Sequence, residues 1–226
     1  MNKLNNGDIL RLPPAFSCGF QKYEKKVKWK LEQSRVLYDV SDLLIVDKPP
    51  NLAVHSGSNT DWGLIDVLTS QYGSNCKLVH RLDKDTSGVM LIAKNQKMAQ
   101  YCHSLILDRK VIKRYVLVVQ GNVKEKKFKV NKEIDGKTAI TNFRLIKSND
   151  NYSLLSAELV TGRKHQIRLH VREFSHSIVG DQKYGYNQKN NSRLMLHAYY
   201  IKLPLVNGTN VEISCNYPDS FNDFFK

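Results

Sequence analysis

No stretch of this 226-residue sequence approaches the roughly 20 consecutive apolar residues that a membrane-spanning helix needs. The first residues, MNKLNNGDILRLPP, lack the long apolar core and the small-residue cleavage site of a secretion signal. We therefore expect a soluble protein located in the cytoplasm.

Motifs for metals, disulfides and nucleotides are also missing. The sequence has only four cysteines, far apart, and it contains no CxxC pair, HExxH motif or Cys/His cluster. Glycine-rich GxGxxG and P-loop motifs are absent. These absences argue against a structural metal, a disulfide framework and a nucleotide cofactor, and they predict buried, reduced thiols.

Acidic residues are scarce relative to basic ones, since 21 Asp and Glu stand against 35 Lys and Arg, a formal net charge of +14. Such an excess indicates a polyanionic partner, either nucleic acid or an anionic membrane surface. A membrane-surface protein would carry a basic amphipathic helix or a lipidation signal, and the sequence has neither. Nucleic acid is therefore the favoured partner. The hydrophobic fraction of 41% is sufficient for a sizeable core.

The basic residues fall into three blocks. The first precedes the main body, and the second is predicted to lie in a polar connection; both fit a solvated surface as well as a binding role. The third is interleaved with Ile167, Leu169 and Val171, so it belongs to a folded element. In chain order the blocks are Lys22, Lys25, Lys26, Lys28 and Lys30; Lys124, Lys126, Lys127, Lys129 and Lys132; and Arg163, Lys164, Arg168 and Arg172.

Short apolar runs of strand length outnumber helical patterns, and strands do not alternate regularly with helices. This predicts an α+β fold with a mixed, largely antiparallel central β-sheet flanked by helices. Predicted strands cover 36–38, 43–46, 89–93, 115–119, 139–146, 154–160, 195–203 and 211–214; predicted helices cover 63–72, the segment after Asn95, 164–173 and 221–225. Residues 1–33 are expected to form a short strand at 7–13 and a basic linker, and residues 34–226 the main domain.

A polar segment at residues 80–88 separates two apolar runs that are predicted to be buried strands. Polar side chains on a loop between rigid strands are a common location of functional sites. A structural turn is an equally good interpretation, because Asp85, Thr86, Ser87 and Gly88 all favour turns.

Within this segment, HRLDKDTSG resembles the motif of the RluA-type pseudouridine synthases, which isomerise uridine to pseudouridine in structured RNA. Other segments resemble parts of the same family in the same order: VLYDVSDLLIVDKPPNLAVHSGS, KRYVLVVQG, KTAITNFRLI, LVTGRKHQIRLH and SRLMLHAYYIKL. The resemblance covers about residues 34–218. It implies the fold of that family, RNA as the partner, and a reaction that uses no cofactor and no metal.

One branch of the family is especially similar. AVHSGSNTDWGLIDVL resembles enzymes that act on 23S ribosomal RNA of the large subunit and that carry an N-terminal S4 RNA-binding domain. GDILRLPP resembles the last strand of that domain, so residues 1–33 are expected to be its remnant. The implied partner is 23S rRNA or a pre-ribosomal large subunit, bound by a monomer. A tRNA pseudouridine synthase and a non-catalytic RNA-binding protein of ribosome assembly are the alternatives.

The resemblance assigns three catalytic residues. Asp83 is the essential aspartate, acting as a nucleophile or a charge stabiliser towards the sugar or the base. Arg168 is expected to pair with Asp83 and stabilise its ionised form, with contact to an RNA phosphate as the alternative. Tyr115 is expected to stack on uracil and offer its hydroxyl for proton transfer at C5, with an ordinary core tyrosine as the alternative.

The remaining site residues surround this set. Arg81 is expected to fill the RNA stack after the uridine has flipped out, and Leu196 to form an apolar wall of the uracil pocket. His80 and Thr86 are expected to hold the Asp83 turn rigid. Two departures from the family pattern are Asn51 for glycine and Lys164 for threonine. The residues expected to contact RNA are Arg163, Lys164 and Arg172.

Overall fold

The computed structural model describes residues 27, 29–57, 61–185 and 193–226. The strand expected at 7–13, the first basic block up to Lys28 and most of the expected linker lie outside the described residues. None of the helices in the described part of the chain is long and apolar enough to cross a membrane.

A ten-stranded sheet forms the centre of the described chain, with the main path β1-β2-β4-β9-β5-β8-β7-β6. β3 pairs with β4, and β10 pairs with β9. Neighbouring strands are antiparallel except β4 and β9, which confirms the predicted mixed, largely antiparallel sheet. The strands are β1 (Val36–Val40), β2 (Leu43–Lys48), β3 (Lys77–Leu78), β4 (Ser87–Ala93), β5 (Ile112–Gln120), β6 (Lys127–Asn131), β7 (Ile140–Ser148), β8 (Tyr152–Leu159), β9 (Leu196–Pro204) and β10 (Asn210–Ser214).

The helices flank this sheet and begin and end close to where the sequence predicts. α2 starts after Asn95, because Asn95 Oδ1 accepts a hydrogen bond from the backbone N of Met98 at 2.8 Å. α1 ends at Gly73, which has a φ of 100° that favours glycine. The α-helices are α1 (Leu64–Tyr72), α2 (Gln96–Leu107) and α3 (Gln166–Glu173), and 3₁₀ turns occur at Gln33–Arg35, Asp219–Phe221 and Asp223–Phe225.

The parallel contact between β4 and β9 brings two distant segments together. Ser87 pairs with His197, and Gly88 pairs with Ala198. Gly88 has a φ of 112°, and a Cβ atom there would lie 2.1 Å from the carbonyl oxygen of Ala198, so only glycine fits. This contact places the polar segment that precedes β4 beside Leu196.

Part of the second basic block lies in a strand, since Lys127 and Lys129 belong to β6, and for these residues the prediction of a polar connection is wrong; Lys124, Lys126 and Lys132 lie outside the strand. In β6, Phe128 and Val130 are half-buried while Lys127 and Lys129 are exposed, the alternation of an edge strand. The Phe128 ring stacks on Phe143 of β7 with centroids 5.1 Å apart. Lysine on an edge strand discourages further strand pairing, and here the density of lysine hides the alternation in the sequence.

Both ends of the described chain also differ from the prediction. The helix expected at 221–225 is replaced by two 3₁₀ turns, which bury Phe221 completely. At the other end, the backbone N of buried Leu31 donates to Gln71 Oε1 at 2.8 Å, and Trp29 stacks on Trp62 with centroids 5.7 Å apart. The described end of the expected linker therefore packs on the main domain.

Candidate active site

A cleft of about 440 Å³ opens beside β5. It is lined by residues 79–83 and Thr86 before β4, by the first half of β5, and by the connection from β8 into α3. All predicted site residues line this cleft except Arg172, which is exposed on α3: the lining includes His80, Arg81, Asp83, Thr86, Tyr115, Arg163, Lys164, Arg168 and Leu196. Residues that are far apart in the chain therefore converge where the sequence placed a site.

Asp83 lies between two nitrogen-bearing side chains of the cleft. Its Oδ2 is 3.6 Å from Arg168 Nη1, and its Oδ1 is 3.6 Å from His165 Nε2. Both distances exceed a hydrogen bond but remain within the range of a direct electrostatic contact. The Asp83 side chain is 18% exposed, so its carboxylate is accessible from the cleft.

The main partner of Arg168 is Asp181, which sequence reasoning missed. Arg168 donates from Nε to Asp181 Oδ2 at 2.8 Å and from Nη2 to Oδ1 at 2.6 Å, in a two-pronged pair. Both side chains are buried, at 5% and 1% exposed. Although burial alone would raise the pKa of Asp181, its hydrogen bonds to Arg168 and the Arg168 charge lower it. The pair fixes the guanidinium so that its free edge faces Asp83.

His165 is a second site residue that the prediction did not include. It precedes α3 with a left-handed φ of 54°, and its Nδ1 lies 2.7 Å from the hydroxyl of Tyr184. Burial lowers the pKa of His165, and the Asp83 charge opposes this shift. The segment RKHQIR contained the residue, but only the fold turns its ring towards Asp83.

Tyr115 is buried on the cleft side of β5. It pairs with Ala157 of β8 and Ala198 of β9, and these small neighbours leave room for its ring. Burial raises the pKa of the Tyr115 phenol far above its ordinary value, and the Asp83 charge raises it further. The hydroxyl is therefore protonated throughout the physiological range.

Lys48 supports the cleft from below the Asp83 loop. Its side chain is fully buried at the end of β2, and Nζ donates to the carbonyl oxygens of Pro49, Leu52 and Lys84 at 2.8, 2.9 and 3.0 Å. Burial lowers the pKa of Lys48 to about 7, and the nearby Asp85 charge acts in the opposite direction. The sequence showed the KPP turn, but not that its lysine reaches the segment that carries Asp83.

His80 and Thr86 both take part in hydrogen bonds at the Asp83 loop. His80 Nε2 accepts a hydrogen bond from the backbone N of Leu91 on β4 at 2.9 Å. Burial lowers the pKa of His80 to about 3, so the imidazole stays neutral. Thr86 is buried, and its backbone N donates to the carbonyl oxygen of Asp83 at 3.2 Å.

The rim of the cleft is basic. Arg81, Arg163 and Lys164 are exposed there, and Arg163 Nε donates to the carbonyl oxygen of Thr138 at 3.1 Å. Lys113 also lines the cleft, and burial lowers its pKa. Lys113 belongs to the segment KRYVLVVQG, but the sequence pattern predicts no role for it. These cations surround the opening through which a polyanion would reach Asp83.

Three side chains of metal-ligating type lie together outside the cleft lining. The ligand atoms of Asp47, His197 and Cys215 are all within 4.8 Å of one another, and His197 Nε2 is 3.2 Å from Cys215 Sγ. Arg35 donates to Asp47 Oδ2 at 2.7 Å, and burial and the Arg193 charge lower the pKa of His197 to about 4. Two guanidinium groups beside the group oppose a bound cation. The free thiols of Cys76 and Cys102 are buried as predicted, whereas Cys215 is half-buried.

Comparison with known proteins identifies relatives of this fold and site. A family profile described as RNA pseudouridylate synthase matches residues 42–173, which include Asp83, Tyr115 and Arg168. The chain is 35% identical to ribosomal large subunit pseudouridine synthase C of Buchnera aphidicola subsp. Baizongia pistaciae (strain Bp), over 87% of this chain and 71% of that protein. It is 32% identical to the protein of the same name from Haemophilus influenzae (strain ATCC 51907 / DSM 11121 / KW20 / Rd), over 88% and 71%.

A solved structure agrees with this relationship. Human RNA Pseudouridylate Synthase Domain Containing 4 superposes with a TM-score of 0.71 and 25% sequence identity, covering 83% of this chain and 90% of that one. The similarity therefore extends over the sheet and the cleft together.

Proposed function

The chain belongs to the RNA pseudouridylate synthase family, and from this we propose that it converts uridines of large-subunit ribosomal RNA to pseudouridine. The reaction is an isomerisation. The bond from N1 of uracil to C1′ of ribose breaks, the base turns, and a bond from C5 to C1′ forms, while C5 loses a proton and N1 gains one.

The placement of Asp83 is the observation that carries this proposal. Its carboxylate is accessible in a cleft whose rim is basic, and it faces the Arg168 guanidinium and His165 at 3.6 Å. A fixed cation stabilises the ionised carboxylate, which is the form that can attack the sugar or base or stabilise positive charge on the sugar. Arg168 is itself anchored by Asp181 and does not depend on substrate for its position.

The neighbouring residues suit the other requirements of the reaction. Tyr115 presents a protonated phenol beside Asp83, where it can stack on uracil and exchange a proton at C5. Leu196 supplies an apolar wall, and Arg81 is exposed at the rim, where it can occupy the space of a flipped-out uridine. Arg163 and Lys164 can contact phosphates, because both are exposed at the rim.

Large-subunit ribosomal RNA is supported as the substrate by the names of relatives that align over most of the chain. The transfer RNA alternative has no comparable support. We also propose that the protein acts as a monomer, since a single chain suffices to bring nine of the predicted site residues together in the cleft.

The test is release of tritium from protein-free large-subunit RNA that carries uridine labelled at C5. We expect the wild type to release tritium and Asp83→Asn to release it at least about 10³-fold more slowly, because the amide cannot act as a nucleophile or hold a negative charge. RNA affinity of Asp83→Asn should stay within a few-fold of wild type.

Asp85→Asn is the matched control, because Asp85 lies in the same loop but does not line the cleft. It should retain activity within about tenfold of wild type, as expected for a carboxylate outside the reacting centre. Near-normal turnover by Asp83→Asn would contradict the catalytic assignment. Tritium release from transfer RNA but not from ribosomal RNA would contradict the proposed substrate.

A further inference from the structure

The side of the sheet opposite the cleft carries two rows of polar residues across β6, β7, β8 and β5. Successive residues of a strand point to opposite faces of the sheet. The row of residues that contains Tyr115 lies between the two polar rows and therefore points to the other face, where Tyr115 lines the cleft. The first row is Lys129, Asn142, Glu158 and Arg114, and the second is Lys127, Arg144 and Ser156. We call these seven residues the outer basic face.

Within the described part of the chain, only strand residues line the depression over this surface, whereas the C-terminal turns cover another part of the same side of the sheet. The C-terminal turns pack there, with Phe221 against His197 and Phe224 against Tyr152. The C-terminal turns do not line the shallow depression of about 620 Å³ over the outer basic face, which Tyr199 also borders. The described residues therefore leave the depression open on the sheet.

The charges on the outer basic face are poorly balanced. Arg114 donates to Glu158 at 2.7 Å, and Glu158 is the acidic residue among the seven. Among the described residues, no carboxylate lies within 4.0 Å of the charged groups of Lys127, Lys129 or Arg144.

Two of these cations also face each other directly. Lys127 is the cross-strand partner of Arg144, and like charges at directly opposed positions destabilise a sheet. No carboxylate among the described residues lies within ion-pair distance of either side chain to offset this repulsion, whereas a bound polyanion would offset it.

The composition of the surface favours RNA over protein as the polyanion. A protein interface has an apolar centre, but the exposed large apolar residues of the described chain are Val40, Leu107, Ile146 and Val206, and none borders the depression. Phe128 and Phe143 also line the depression, but they belong to the row of Tyr115 on the opposite face, where their rings stack on each other. Apart from Glu158 and Tyr199, the polar side chains of the lining are those that bind a phosphate backbone: cations, and the amide of Asn142 and hydroxyl of Ser156 as hydrogen-bond donors. Lys127 and Lys129 project from one strand about 6.6–6.8 Å apart along its axis, a linear array of charge.

We propose that the outer basic face binds a second segment of the substrate RNA through its phosphates, on the side of the sheet opposite the uridine in the cleft. This inference rests on the proposed function for the identity of the RNA. It assigns a role to the part of the second basic block, Lys127 and Lys129, that the cleft does not use.

The test compares Lys127→Gln/Arg144→Gln with Lys77→Gln/Lys97→Gln, which removes the same charge from exposed lysines outside the depression. Dissociation constants are measured for two probes, protein-free large-subunit RNA and a short RNA hairpin that contains one target uridine. We expect the first variant to bind the long RNA about tenfold more weakly, with the salt slope reduced by about 1.4–1.8. Its affinity for the hairpin should equal that of wild type, and the control variant should match wild type on both probes.

Folding is checked in the same samples. Because the opposed like charges are removed, the melting temperature of Lys127→Gln/Arg144→Gln should equal or exceed that of wild type. Unchanged affinity for the long RNA, or an equal loss in the control variant, would overturn the inference. Loss of binding to a polyglutamate peptide without loss of RNA binding would identify an acidic protein as the partner and would overturn it as well.

Failure of the proposed function gives a different result. Wild-type protein that binds the long RNA but releases no tritium from it would contradict the proposed activity, and the binding comparison between the two variants would still decide the role of the outer basic face.

Discussion

At the scale of single residues, the buried pair of Arg168 and Asp181 determines the electrostatics around Asp83. Asp181 touches no substrate in our proposal; it positions the guanidinium that faces Asp83. Removing one partner of a buried ion pair leaves the other charge without compensation, which costs several kcal/mol. Loss of Asp181 should therefore lower both the rate of the reaction and the stability of the protein, because both depend on the same ion pair with Arg168.

Asp181→Asn is expected to destabilise the protein by about 2–4 kcal/mol at pH 7 and to lower kcat without a matching rise in KM. Since the folded-state pKa of Asp181 is lowered from 3.8, its contribution to stability is present above that value and is lost as the pH falls through the folded-state pKa. Urea unfolding at pH 7 and near pH 3 measures this contribution. The difference in the free energy of unfolding between wild type and Asp181→Asn should be smaller at the lower pH.

Asp150→Asn provides the comparison, because Asp150 is exposed in the turn between β7 and β8. It should change stability by less than about 0.5 kcal/mol at either pH. An Asp181→Asn protein as active and as stable as wild type would show that Arg168 does not need this anchor.

At the scale of elements, Lys48 links the end of β2 to the loop that carries Asp83. Its ammonium donates to three carbonyl oxygens, those of Pro49, Leu52 and Lys84. Lys84 follows Asp83 in the chain, so the hydrogen bond from Lys48 to the carbonyl oxygen of Lys84 positions the loop relative to the end of β2. Asn51 lies in the same turn with a φ of 61°, which confirms that asparagine can take the place of the family's glycine.

Lys48→Met is expected to leave these carbonyl oxygens without a donor and to lower both stability, by about 2–4 kcal/mol, and kcat, by at least about tenfold. The pKa of Lys48 is lowered to about 7 by burial, so between pH 7 and 10.5 the unfolded chain binds more protons than the folded one. The stability of wild type relative to Lys48→Met should therefore rise with pH in this window. Denaturant midpoints between pH 7 and 10 measure it.

Lys97→Met, on the exposed side of α2, is the control and should behave as wild type in both respects. A stability difference that does not change with pH would mean that Lys48 keeps an ordinary pKa in the folded state.

Elements with a regular pattern of apolar residues were predicted well, and the exceptions have a physical cause. α2 follows from its cap and its apolar spacing, and β4 from its continuous apolar run. β6 was missed because three of its five residues are polar and solvent-facing, and its apolar side chains are covered by aromatic residues from elsewhere in the chain. Which strands pair depends on such long-range contacts and has no local signature.

At the scale of the whole molecule, the formal net charge is +14, and among the described residues basic side chains gather on two surfaces, the rim of the cleft and the outer basic face. Each cation that neutralises a phosphate releases a counterion, which makes RNA binding salt-dependent. The phosphate contacts of the two surfaces should therefore contribute additively to the salt dependence of RNA binding.

The logarithm of the association constant for large-subunit RNA is expected to fall against the logarithm of salt concentration with a slope of about −4. This corresponds to about five phosphate contacts at roughly −0.7 to −0.9 each. The slope is measured by filter binding at salt concentrations from about 50 to about 300 mM, a range that includes the physiological ionic strength. Asp83→Asn should leave it unchanged, because its carboxylate contacts no phosphate, and a slope near zero would contradict binding through the RNA backbone.

The sequence by itself determined the fold class, the family and nine of the residues that line the cleft, because these depend on local periodicity and on short motifs whose residues are adjacent in the chain. The tertiary structure decided which side chains support one another. Asp181 meets Arg168 and Lys48 reaches Lys84 across separations of 13 and 36 residues, and Lys127 faces Arg144 only through the register of β6 with β7. Such contacts arise from strand pairing and packing, and no local pattern of residues encodes them.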